Sequence, residues 1–209
     1  MLEKKPIVVE KSFLQNLRRL HPYQTMMYMA MVGSGFLFLI MLATYTAQRF
    51  QTSNAQQIIQ LPKSFFISTA LMLLSAAAIK LARLYLNKDQ LKKCTFMLAT
   101  VGLLGIGFTV FQIVGWLEFY KNGFSLPTAN VASTYVYVLS AIHMFHVLLG
   151  IGFLTYVLIP FYKNSRNPVT ELMFVTNPYQ KKKMNMLFVF WNYIDVVWLI
   201  MFFYFAITF

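Results

Sequence analysis

Acidic side chains are scarce in this sequence. Six Asp and Glu stand against 18 Lys and Arg, and charged residues make up only 11% of the chain. A soluble domain carries about 25% charged residues, so an ordinary water-soluble globule is excluded. Cysteine is nearly absent as well. The single Cys94 permits no internal disulfide and no thiolate metal cluster. The N-terminal stretch MLEKKPIVVEKSFLQNLRRL contains acids and has no apolar core followed by a small-residue cleavage site, so it does not read as a secretory signal. Period-two alternation is missing from the long apolar runs, which argues against a transmembrane barrel. No inverted repeat and no central Pro interrupts these runs, unlike transporters built from discontinuous helices.

Hydrophobic residues are abundant, at 58%, with 21 Phe and 13 Met and a mean hydropathy of +0.59. A membrane-spanning helix needs about 20 mostly apolar residues. Five runs qualify, at about 25–47, 64–86, 95–119, 133–160 and 186–208. The connecting loops, 48–63, 87–94, 120–132 and 161–185, are too short to separate domains. The expected fold is therefore all-α: an integral membrane bundle of five transmembrane helices over 25–209, preceded by a cytoplasmic segment, 1–24.

The basic residues divide unevenly between the loops. Fifteen fall on one side, in the N-terminal segment, the 80–94 region and the 161–185 loop; only Arg49, Lys63 and Lys121 fall on the other. The positive-inside rule then predicts a cytoplasmic N-terminus and a C-terminus outside. It also accounts for the net charge of +12 without a nucleic-acid partner, because basic loops orient the chain and meet anionic headgroups. Lys80 and Arg83, near the inner end of the second run, read as snorkelling side chains.

Ionisable residues inside a bilayer are costly and usually turn toward protein. Two acids fall within the runs: Glu118 near the outer end of the third, and Asp195 near the centre of the fifth. His143 and His146, three residues apart on one helix face, are the best candidates to satisfy Asp195. Gln112 and the Ser68–Thr69 pair add hydrogen-bonding capacity. Three readings of His143-x-x-His146 stay open: metal or haem ligation with Asp195 as a further ligand, a proton relay, or buried polar packing. Gly102, Gly105, Gly107, Gly150 and Gly152, with the SAAA stretch from Ser75, supply small surfaces for close helix approach. Trp116, Trp191 and Trp198 are candidate interface or packing aromatics.

Four segments, in order, resemble the subunit III family of haem-copper oxidases. They are LPKSFFISTALMLLSAAAIKLA, GFTVFQIVGWLEFY, SAIHMFHVLLGIGFL and FWNYIDVVWLIMFFYF. The third is similar to the family's His-x-x-His-Val-x-x-Gly motif and the last to its Trp-His-Phe-Val-Asp-Val-Val-Trp-Leu motif. The resemblance covers about 20–209 and points to the short five-helix form, without the first two helices whose cleft holds phospholipids in the seven-helix form. Gln112, Glu118, His143, His146, Gly150, Trp191, Asp195 and Trp198 match its polar and packing positions. Asn192, Gly115 and Gly35 depart from it, standing where the family usually has His, an acid and Glu. The missing Glu favours a structural role.

The resemblance implies a non-catalytic accessory subunit of a cytochrome c oxidase in a bacterial inner membrane. This chain would hold no cofactor; haem and copper belong to subunits I and II. It would pack beside subunit I, contact subunit II and lipid, and support proton uptake and turnover stability. A structural phospholipid and a supercomplex with a quinol-oxidising complex are compatible additions. The alternatives are an accessory subunit of a quinol oxidase or nitric oxide reductase, and a small proton-linked transporter.

Overall fold

The computed structural model describes residues 22–51, 62–121, 131–164 and 177–208. Most of the expected N-terminal segment, including His21, and the middles of three expected loops lie outside the described residues. Five helices make up nearly everything described: α1 Pro22–Gln51, α2 Lys63–Asn87, α3 Leu91–Lys121, α4 Val131–Asn164 and α5 Pro178–Thr208. All five are long and apolar enough to cross a membrane. Each contains one of the five apolar runs and extends beyond it at one end or both.

The overrun has local causes. At α5, Asn177 Oδ1 accepts the backbone N–H of Tyr179 at 3.0 Å, and Pro178 takes the first helical position. An Asn N-cap followed by Pro pre-sets a helix start, so α5 begins eight residues before its apolar run and includes Lys181 to Lys183. At the end of α2, Asp89 adopts a left-handed backbone with φ 54°. The N–H of Gln90 then donates to the Tyr85 carbonyl at 2.9 Å, the Schellman closure that ends a helix sharply. The chain reverses within three residues, and α2 and α3 become the most extensively packed pair.

Helices α2, α3, α4 and α5 close a ring, each packed on the next, with α5 returning to α2; α1 lies outside it, against α4 and α5. Two apolar clusters stack inside. One gathers Phe65, Phe108, Phe119 and Trp198 with Phe38 and Leu42 of α1. The other gathers Leu91, Leu98, Phe161, Phe188 and Trp191 toward the lysine-rich end. Trp191 and Trp198, seven residues apart on α5, anchor one cluster each, and Asp195 sits between them.

Close approach depends on particular glycines. A Cβ on Gly105 would meet the Trp191 ring at 3.1 Å, and one on Gly150 would meet Ile194 at 3.0 Å. At Gly115 it would meet the Phe65 ring at 2.6 Å. The aromatic ring fills the volume that an acidic side chain would need there.

Candidate functional site

A row of hydroxyls on α2 organises the interior. Ser64, Ser68 and Ser75 recur at spacings of four and seven, with Thr69 beside Ser68, so they share one helix face. All four are buried. Ser68 and Thr69 donate to the Phe65 carbonyl at 2.9 and 2.7 Å, and Ser75 donates to the Met72 carbonyl at 2.8 Å. A hydroxyl that spends its proton on its own helix keeps lone pairs to accept from a neighbour.

Neighbouring helices use those lone pairs. Gln112 Nε2 on α3 donates to Ser68 Oγ at 2.8 Å. Trp198 Nε1 on α5 donates to Thr69 Oγ1 at 3.0 Å, and Trp191 Nε1 donates to Ser75 Oγ at 3.2 Å. Ser64 Oγ instead donates to Glu118 Oε1 at 2.5 Å. Ser75 Oγ and Asp195 Oδ1 are hydrogen-bonded at 3.3 Å. The result is a polar seam down α2, with α3 on one side and α5 on the other. It contains Gln112, Glu118, Trp191, Asp195 and Trp198, five of the eight positions singled out in the sequence.

The histidines do not join it. The expectation that His143 and His146 would satisfy Asp195 is corrected: the partner is Ser75, on α2 rather than α4. The reason lies in the α5 face. Trp191 and Trp198, one turn to either side of Asp195, both turn toward α2 and carry the carboxyl with them. His143 is buried against the rings of Phe38, Phe108 and Trp198, with centroids 6.4, 5.6 and 5.1 Å away. Neither of its ring nitrogens has a hydrogen-bond partner among the described residues. His146 Nδ1 bonds the Ile142 carbonyl at 2.8 Å. Gly150, the remaining motif position, lies under Trp191 and Ile194.

The contacts of these residues are packing and hydrogen bonds. Among the described residues no three of His, Cys, Asp and Glu gather in a group able to hold a metal ion. The enclosure of His143 by rings does not fit axial ligation of a haem. Asn192, the departure beside Trp191, donates to its own Phe188 carbonyl at 2.8 Å. Gly35 is covered by the Tyr193 hydroxyl, 3.6 Å from where a Cβ would stand, and that hydroxyl shares a 2.7 Å hydrogen bond with Ser34.

Sequence reasoning missed Ser64 and Ser75. Ser75 stands in the sequence as the small head of SAAA, and the signal that marks it is the spacing Ser64, Ser68, Ser75 along one face. The α1 contacts were also missed: Ser34 with Tyr193, Tyr45 with Thr208 and Thr46 with Tyr204 bind that helix to α5.

Comparison with known proteins gives a consistent result. Residues 55–208 match the family described as Cytochrome c oxidase subunit III. The match covers α2 to α5 and leaves α1 outside. Cytochrome c oxidase subunit 3 of Bacillus sp. (strain PS3) is 28% identical over 173 residues, covering 81% of this chain and 78% of that protein. Quinol oxidase subunit 3 of Bacillus subtilis (strain 168) is 27% identical over 173 residues, covering 79% of this chain and 77% of that protein. The probable cytochrome c oxidase subunit 3 of Rickettsia conorii is 31% identical over 137 residues, and the chain spans 44% of its length.

Proposed function

The chain belongs to the cytochrome c oxidase subunit III family, and from that premise we propose that it packs beside subunit I of a bacterial haem-copper oxidase, with subunit II nearby, and supports proton uptake and turnover stability. It does so without redox chemistry of its own; haem and copper sit in the partner subunits. Cytochrome c is the proposed donor to the assembly. The N-terminus faces the cytoplasm and the C-terminus the opposite side of the inner membrane.

One observation carries the reading. The motif residues Gln112, Glu118, Trp191, Asp195 and Trp198 each make a hydrogen bond between helices of this chain. A residue committed to tying helices together serves a scaffold. Such a bundle can exclude lipid from a hydrated proton entrance on its neighbour and hold the entrance loops in place.

A structural phospholipid fits the same role. A cavity of about 330 Å³ at the lysine-rich end is lined by residues including Phe153, Tyr156, Tyr179, Lys182 and Lys183. Lys183 Nζ donates to Tyr156 Oη at 3.0 Å and lies 4.5 and 4.7 Å from the Tyr156 and Tyr179 ring centroids. Cationic and phenolic groups over an apolar floor match a headgroup and the start of its chains.

Quinol in place of cytochrome c as donor is a second reading, favoured by the similarity to the quinol oxidase subunit 3 of Bacillus subtilis over most of both chains. Purification through a tag on this chain in mild detergent tests the proposal. Partner identification and an optical spectrum should return subunits I and II with haem. Recovery of the chain alone, or with a transporter partner, would overturn it. A reporter fused to the C-terminus tests the orientation and should report from outside.

A further inference from the structure

Three nitrogen and oxygen contacts converge on Ser75 Oγ, the Met72 carbonyl at 2.8 Å, Trp191 Nε1 at 3.2 Å and Asp195 Oδ1 at 3.3 Å, beside a weak fourth contact to Met72 Sδ at 4.0 Å. A serine hydroxyl has one proton to give and two lone pairs to accept with. The carbonyl can only accept and the indole can only donate. The third contact is therefore decided by counting protons.

With Asp195 ionised the count fails. The single Ser75 proton bridges either the Met72 carbonyl or Oδ1. If it goes to the carbonyl, Oδ1 faces bare lone pairs. If it goes to Oδ1, the 2.8 Å contact between oxygens has no hydrogen. Asp195 Oδ2 has no hydrogen-bond partner among the described residues, and the residue is only 3% exposed. No cation ion-pairs with it there. Lys80 on α2 is exposed. His143 and His146 on α4 turn to aromatic rings and to the Ile142 carbonyl. Glu118 on α3 is engaged by Ser64.

With a proton on Oδ1, each of the three contacts has one hydrogen. Asp195 donates to Ser75, Ser75 donates to Met72, and Trp191 donates to Ser75. We propose that Asp195 is held as a neutral carboxylic acid that donates its proton to Ser75 Oγ, pinning α5 to α2 between the two apolar clusters. A buried carboxylic acid used as a donor avoids the cost of an unpaired buried charge. The assignment concerns this chain's own residues and holds or fails independently of the oxidase reading.

The chain contains two aspartates, Asp89 and Asp195, and Asp89 is exposed in the α2–α3 turn. The full-length protein, labelled with carbon-13 at the aspartate side-chain carboxyl and reconstituted in lipid at pH 7, should give two carboxyl signals by solid-state NMR. One should have the shift of a protonated acid and one that of a carboxylate. Asp195→Asn should remove the acid signal alone. Should that variant not fold, Asp89→Asn should remove the carboxylate signal alone. Ser75→Ala should move the acid signal. Two carboxylate signals in the wild type, or an acid signal that survives Asp195→Asn, would overturn the proposal.

Discussion

Trp191 and Ser75 are joined across the bundle: the indole N–H of α5 donates to the α2 hydroxyl at 3.2 Å, and both side chains are fully buried. The same indole ring lies against Gly105 of α3 and Gly150 of α4. One side chain thus touches three other helices, and the hydroxyl it meets also bonds Asp195.

Removing that hydroxyl should be costly. Ser75→Ala leaves the Trp191 N–H and the Asp195 carboxyl without their shared partner, a loss of about 1–3 kcal/mol for buried polar groups left unsatisfied. Thr44→Ala, at an exposed hydroxyl bonded among the described residues only to the Met41 carbonyl, should stay within about 0.5 kcal/mol. Denaturant titration of both variants in mixed micelles measures the contrast. Equal stability of the two would refute the seam's importance.

Glycine positions give a steric prediction. Gly150→Leu forces a side chain into Ile194 and Trp191, and overpacking of this kind costs about 1–3 kcal/mol. Gly152→Leu should be tolerated, because among the described residues nothing beyond its own stretch of helix lies within 4 Å of its Cβ position. Thermal melts of the two proteins should separate clearly, with Gly152→Leu close to wild type.

The buried imidazole can be tested by replacement. His143 presents two unbonded ring nitrogens to Phe38, Phe108 and Trp198. His143→Phe keeps an aromatic ring and removes the unpaired polar atoms, so stability should hold within about 1.5 kcal/mol, as for volume-conserving swaps. The haem spectrum of the purified assembly should not change. A lost or shifted haem band would revive ligation.

The seat of α1 rests partly on hydroxyls. Tyr193→Phe deletes the 2.7 Å bond to Ser34 and keeps the ring. Interhelical hydrogen bonds in membranes are worth about 0.6 kcal/mol on average. The loss should therefore be small and confined to α1, visible as faster amide exchange there. Exchange that rises equally in α2 and α3 would show that α1 is not a peripheral element.

The five helices were legible because crossing a bilayer is a matter of apolar length, which 25–47 and the other runs display directly. Their true ends were less legible. The Asn177–Pro178 start carries α5 through three lysines that an apolar count stops at. Asp195 was legible as an inward polar group, but its partner was not. Spacing tells which residues share a face; it does not tell which of several neighbouring helices that face meets. His143 and His146 were attractive for their chemistry, whereas Ser75 sat inconspicuously at the head of SAAA. The decisive relation was the rotation of α5, set by two tryptophans seeking hydroxyls on α2.

The role proposed for this chain is to support a catalytic neighbour without redox chemistry of its own. The decisive experiment is selective removal of the chain from the purified oxidase, followed by optical spectra and repeated turnover. Haem bands should stay unchanged, while activity decays faster during turnover and proton pumping weakens. Loss of haem or copper signals along with the chain would contradict it.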